Sequence, residues 1–467
     1  MGQEIGLVIL FVFLFLYDTF CSEKGKQYFQ IIGIVLFAAL TVYGFCPHKT
    51  GEAFGGMYIS SALTVLMKNI LNIATLLVFL QSHKWLSSEG TVHKQGEFYT
   101  IALVTLLGMY LMISAGNFML LYIGMETASL PLACLAAFNK RKEKSAESGV
   151  KYILISAFSS GIMLFGLSFL YGGLGSFYFA NMAGSAMNSP MVILGFVFFF
   201  AGLGFKLSVV PFHLWAADVY EGAPTAVTAY LSVVSKGAAA FALIFALYRV
   251  FSPIEAVWQF ILWGLVAITI TLGNLFAIRQ KDIKRFFAFS SISQAGYLLL
   301  GIMTGTAQGM TATVYYLVVY LFSNLAAFGV IAAVEHQANG DTRISAFNGL
   351  YKSNPVLTFV MMVAVFSLGG IPPFAGFFSK FLIFMAAYEQ GYHLLVFIAL
   401  LNTVISLYYY LLIITAMFIH KQESEAVIRF RTDNYNRVSL VVCTIGIFVV
   451  GILSCIYEYI GTLSFGM

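Results

Sequence analysis

The stretch FVFFFAGLGFKLSVVPFHLWAADVYEGAPTAVTAYLSVVSKGAAAFALIF, residues 196–245, reads as two membrane-spanning helices that each carry a lysine. A charge at bilayer depth costs at least about 2.5–3.5 kcal/mol, and it is kept where it pairs, lines a wet cavity or moves protons. Lys206 follows Pro190, the start of its span, by about sixteen residues, so snorkelling to the near surface is a weak explanation. Glycines flank it and Pro211 comes after, which predicts an unwound or bulged helix near the lysine. Broken helices at membrane depth border protein or water and often form ion sites. Lys236 stands mid-helix among Ser232, Ser235, Gly237 and Ala238, small residues that leave room for water. The pattern points to ion or proton translocation.

Composition agrees with lipid as the solvent. Of 467 residues, 60% are hydrophobic and 10% charged, with 46 Phe, far from the roughly 25% charged of a soluble domain. The first 20 residues have no basic leader region and no small-residue cleavage site, so they read as a retained first helix. The net charge of +5 is a mark of topology and not of nucleic-acid binding. Five scattered cysteines and loop-borne histidines offer no ligand set for haem, zinc or an iron–sulfur cluster. No dinucleotide or phosphate-binding glycine loop is present in the sequence. Redox or nucleotide chemistry is therefore assigned to partners.

At about 20 residues per span, the chain divides into about 14 transmembrane helices. The third span is expected at 57–81, the seventh at 190–211, the twelfth at 355–387 and the last at 438–460. Of the 25 Lys and Arg residues, five fall inside spans. Eighteen of the rest fall in loops after odd-numbered helices. The positive-inside rule then makes those loops cytoplasmic and both termini periplasmic. The polar connections near 82–96, 335–354 and 420–437 are too short for a soluble domain.

Other buried charges extend the argument. Glu126, in NFMLLYIGMETASLPLACLAAF, is a lone carboxylate with Pro131 one turn later. It must find a cation or take up a proton, and a structural ion pair is the competing reading. Lys380, in FSLGGIPPFAGFFSKFLIF, follows Gly369-Gly370 and Pro372-Pro373, which break its helix. Lys206 and Lys380 thus share one design, five spans apart. An odd number of spans makes a duplicated five-helix unit insert upside down, as in inverted-repeat transporters. Lys151 opens the sixth helix and can equally snorkel. Lys68 is central to the third helix, where a pair with an acid of a neighbouring helix is as good a reading as function. His213, ahead of Asp218 and Glu221, is a candidate proton relay, with an interfacial loop histidine as the alternative.

Three motifs carry a resemblance: HLWAADVYEGAPTAVTAYLSVVSKGAA (213–239), KRFFAFSSISQAGYLLLGI (284–302) and FSLGGIPPFAGFFSKF (366–381). Together they strongly resemble the antiporter-like membrane subunits of proton-pumping NADH:quinone oxidoreductase, respiratory complex I, over about residues 100–415. Lysine at position 380 in place of glutamate likens the chain to subunit N, the homologue of mitochondrial subunit 2. The resemblance implies an all-α polytopic fold with inverted repeats at helices 4–8 and 9–13 and broken helices 7 and 12. The corresponding segments are a three-helix region 1–96, repeats 97–250 and 251–420, and a C-terminal helix in 421–467.

It also implies that Glu126 and Lys206 form the glutamate–lysine pair of a first half-channel. Lys236 becomes a central relay, Lys380 the residue of a second half-channel, and Lys151 and His213 secondary. The implied path runs from Lys206 through Lys236 and water to Lys380. Gln294 stands where many relatives have histidine, so a relay there must use water or hydroxyls such as Ser291 and Tyr297. The implied partners are other complex I subunits carrying FMN, iron–sulfur clusters and quinone, in a bacterial inner membrane. A subunit of a multisubunit cation/proton antiporter is the alternative, and a non-transporting scaffold the third.

Overall fold

The computed structural model describes residues 1–21, 23–182, 188–420 and 430–464. It is predominantly helical, at 81%, and among the described residues eleven helices are long and apolar enough to cross a membrane. Residues 421–429, inside the expected connection at 420–437, lie outside the described residues.

The principal helices are α1 (Gly2–Phe20), α2 (Phe29–Tyr43), α3 (Ala62–Leu86), α4 (Gln95–Ile113), α5 (Phe118–Ala136) and α6 (Glu143–Leu174). Then come α7 (Pro190–Leu207), α8 (Leu214–Gly222), α9 (Thr225–Val250), α10 (Glu255–Ala277), α11 (Ile283–Ile302) and α12 (Ala307–Gln337). The chain continues with α13 (Pro355–Gly369), α14 (Ala375–Glu389), α15 (His393–Phe418), α16 (Asn434–Ile452) and α17 (Ser454–Ser464). Side-chain caps set several starts. The Asn117 carboxamide oxygen accepts from Leu120 N, Asp282 accepts from Lys284 N and Arg285 N, and Asn354 accepts from Leu357 N with Pro355 in the first turn.

The all-helical expectation needs a correction. A two-stranded antiparallel hairpin, β1 (Gly51–Ala53) and β2 (Tyr58–Ser60), precedes α3. The expected third span at 57–81 therefore begins at Ala62 and runs on to Leu86. Gly55 and Gly56 have φ of +64° and +85°, a left-handed path that helix cannot use and a tight turn can. Apolar Tyr58 and Ile59, which read as the start of a span, alternate across the strand.

The chain forms two compact units, one of residues 1–79, 85–207 and 222–258, the other of 80–84, 208–221 and 259–467. In the first, α4 and α5 approach at backbone contact. A Cβ on Gly108 would lie 2.4 Å from Ala128 N, and one on Gly124 would lie 2.6 Å from Met112 N. Such small-residue seams are how helices pack when lipid gives no hydrophobic drive. The most apolar stretch of α9 is wholly buried. In the second unit α12 packs against α13, α14, α16 and α17.

Candidate functional site: buried lysines beside interrupted helices

The helix through Lys206 stops at Leu207, and a new one begins at Leu214. Ser208 between them takes the left-handed conformation (φ +58°) that ends helices. In the first unit, Lys206 is 3% exposed on the last turn of α7. Its ammonium donates to the Tyr152 hydroxyl of α6 at 3.1 Å. Glu126, on α5, makes no ion pair with it. Its Oε1 is buried without a hydrogen-bond partner, yet its charge acts on both Lys206 and Tyr152. The three groups are therefore linked through charge, with the hydrogen bond between Lys206 and Tyr152 the one direct contact.

Lys236 is 4% exposed. It follows a π-helical turn over Leu231–Ser235, and a second such turn covers Ala246–Val250. π-turns inside α-helices concentrate at functional sites, and nothing in residue type announced them.

In the second unit α13 ends at Gly369, Gly370 adopts φ +81°, and α14 starts at Ala375. The interruption frees the last carbonyls of α13, which carry the negative end of the helix dipole. The Lys380 ammonium, 3% exposed, donates to one of them, Leu368 O, at 2.8 Å and lies 4.7 Å from the Tyr297 ring centre. Gln294 Nε2 donates to the same carbonyl and to the Tyr410 hydroxyl, each at 3.2 Å. The Tyr316 hydroxyl donates to Gln294 Oε1. Gln294, Tyr316, Ser323, Ser367, Ser379 and Lys380 line a narrow cavity with room for about one water. Close packing holds the break in place. A Cβ on Gly376 would fall 1.6 Å from Ser367 O.

The remaining candidates are placed differently. Lys151 pairs with Glu147 one turn back at 2.5 Å, with the two side chains 38% and 53% exposed. His213, in the second unit, is half-buried, and its Nδ1 has no hydrogen-bond partner. Nearby, Arg285 Nη1 donates to Asp218 Oδ1 at 2.6 Å and to Glu221 Oε2 at 2.9 Å. Sequence reasoning named the two acids without their arginine. It also missed Tyr152, Tyr316 and the Leu368 carbonyl. Lys68 meets Glu4 of α1 at 2.5 Å, an acid of a neighbouring helix as one of its two readings required. Among the described residues no cluster of three His, Cys, Asp or Glu side chains could hold a metal.

Residues 115–406 match the family model described as the transmembrane region of NADH:quinone oxidoreductase and Mrp antiporters. A protein of Azobacteroides pseudotrichonymphae, named NADH-quinone oxidoreductase subunit N, is 71% identical over 467 residues, covering 100% of this chain and 97% of the relative. A chain of respiratory complex I from Thermus thermophilus superposes with a TM-score of 0.81 at 30% identity, covering 97% of both chains. A chain of the Mrp complex from Dietzia shares the fold, with a TM-score of 0.87 at 20% identity over 99% of this chain and 97% of that one.

Proposed function

Because the chain belongs to the NADH:quinone oxidoreductase/Mrp antiporter transmembrane family, we propose that it is the proton-translocating membrane subunit of a bacterial NADH:quinone oxidoreductase. Electron transfer from NADH to quinone takes place in partner subunits, and this chain turns the released energy into proton movement. The observation that carries the reading is the burial of Lys206, Lys236 and Lys380, each at most 4% exposed, in apolar helices beside backbone irregularities. Cations in such places are functional by default. The antiporter alternative shares the fold. Near-full-length identity to a redox-complex subunit favours the oxidoreductase.

Glu126, Lys206 and Lys236 serve the first unit and Lys380 the second. Neutralising or displacing the Glu126 carboxylate removes the charge that favours the Lys206 ammonium, and the lysine gives up its proton. Beyond 4 Å a unit charge is worth less than about 4 kcal/mol at an effective dielectric of 20, which still biases such a step. Tyr152 holds Lys206 in place through its hydroxyl, and Gln294 with Tyr316 orients the surroundings of Lys380 without titrating. His213 is a secondary relay. Lys151 ranks last, since its exposed pair with Glu147 contributes about 0–1 kcal/mol.

Fourteen spans built from inverted repeats at 97–250 and 251–420 give each repeat one lysine-bearing interrupted helix. The odd–even split of basic loops supports an inner-membrane location with both termini periplasmic. The test measures quinone reduction and proton pumping in membrane vesicles carrying Lys206→Ala or Lys236→Ala. Both activities fall together in an assembled complex if the lysines carry protons. Wild-type values for both would make the lysines structural.

A further inference from the structure

Outside the residues that match the family model, the first unit holds a second buried polar assembly. Lys68, 1% exposed, donates to Glu4 Oε1 at 2.5 Å and to the Tyr58 hydroxyl at 3.1 Å, and Tyr58 donates to the same carboxylate oxygen at 2.9 Å. Glu4 lies in the first turn of α1 and Tyr58 in the hairpin before α3, so the group sits at one end of these helices. From Lys68 a polar stripe runs along α3. Asn72 and Thr75 follow at intervals of four and three residues, the spacing of one helix face, and both are fully buried. The Tyr110 hydroxyl of α4 donates to Asn72 Oδ1, while Asn72 Nδ2 is buried with no hydrogen-bond partner.

The stripe leads toward the helix of Lys236. Tyr230, six residues before that lysine on α9, shares a 2.8 Å hydrogen bond with Thr105 of α4 and also faces the Thr75 hydroxyl. Helices α3 and α9 touch beside Lys236, where a Cβ on Gly237 would lie 3.3 Å from Leu71 Cδ2. An apolar span has no packing use for Lys, Asn and Thr on one buried face. Each is a desolvated polar group that hydrocarbon side chains would replace without penalty.

We propose that Glu4, Lys68, Tyr110 and Tyr230 form a further proton-transfer branch joining the Glu4 end of the first unit to Lys236. The inference rests on the translocation reading above and deepens it. The Lys68 ammonium passes a proton to the first hydroxyl or water of the chain. Each member releases its own proton onward as it accepts one, and the last passes it to the neutral amine of Lys236. Lys68 is left as an amine beside the Glu4 carboxylate of the resting pair. Glu4 then takes a proton from the aqueous phase and hands it to the Lys68 amine, which restores the ammonium–carboxylate pair. No oxidant or co-reactant enters. Asn72 Nδ2, buried without a hydrogen-bond partner, is a donor left open within the stripe.

The test uses the assembled oxidoreductase in membrane vesicles, with quinone reduction and proton pumping both read. The variants are Glu4→Gln/Lys68→Met, which removes both charges of the buried pair, Tyr110→Phe and Tyr230→Phe, which keep the rings, and Lys236→Met. The branch predicts several-fold losses of both activities in the double variant and in each Phe variant, with a larger solvent deuterium isotope effect in the Phe variants. Wild-type turnover in the double and Phe variants, beside an inactive Lys236→Met enzyme, overturns the branch and leaves the translocation reading standing. A single Lys68→Met loss that Glu4→Gln fully restores overturns it too, because that is the behaviour of a structural ion pair. Wild-type activity in Lys236→Met removes the translocation reading and the branch with it. If the double variant does not assemble, the two Phe variants decide alone.

Discussion

Lys206 and Lys380 are buried to the same 3% and sit beside interrupted helices, yet their ammonium groups are held by different chemistry. Lys206 bonds a phenol, Tyr152, and the Glu126 carboxylate, whose Oε1 has no hydrogen-bond partner, acts on it through charge alone. Lys380 bonds a peptide carbonyl at the end of α13, beside an aromatic ring and a carboxamide. The first cation has a partner that can gain or lose charge. Among the described residues the second is held by a peptide carbonyl, a group that does not titrate. Under the proposed translocation, the first site is switched from next door and the second by what reaches the lysine itself.

The strongest way to break this contrast is removal of the cations. Lys206→Met and Lys380→Met should each lower coupled quinone reduction and pumping by at least about tenfold, the scale of a lost proton-transfer group. Vesicle assays that found one of them at wild-type level would confine transport to a single unit. Gln294→Glu then tests the difference directly by giving Lys380 an acid of its own. It should slow turnover several-fold, because the new carboxylate holds the ammonium, and an unchanged rate would mean that Lys380 does not titrate during the cycle.

Backbone geometry is the next lever. Gly376→Ala forces a methyl into the Ser367 carbonyl, and overpacking of this kind costs about 1–3 kcal/mol. The melting temperature of the purified complex should fall, with quinone reduction falling alongside as Leu368 O shifts from Lys380. A smaller effect is expected from Tyr152→Phe, which removes one hydrogen bond of about 1 kcal/mol. Turnover should drop a few-fold with assembly intact. Lys151→Met should show the smallest loss of the lysine variants, and an effect as large as that of Lys206→Met would place its surface pair on the transport path after all.

Charges inside apolar spans and glycine–proline interruptions were readable along the chain because both are local. One apolar window exposes the lysine, and Pro211 or Gly369-Gly370 supplies the cause of the break. What escaped notice depends on pairing across distance or on the backbone alone. Glu4 and Lys68 are on different helices with the hairpin between, so neither residue's neighbours suggest the other. Leu368 binds a cation through its carbonyl, a group every residue has, and its availability follows from where α13 stops. The hairpin at 51–60 was lost for another reason, since Tyr58 and Ile59 are as apolar as the span that was expected to include them. Tyr152 lies in a helix rich in serine and aromatic residues where no single hydroxyl stands out.

The π-helical turn over Leu231–Ser235 has a mechanical consequence. One inserted residue rotates everything beyond it by about 100° relative to the residues before it. Lys236 is the first residue on the rotated side, so the turn fixes the direction in which its side chain leaves α9. Deleting Val233 or Val234 would remove the inserted residue and turn Lys236 by that angle against the first half of α9.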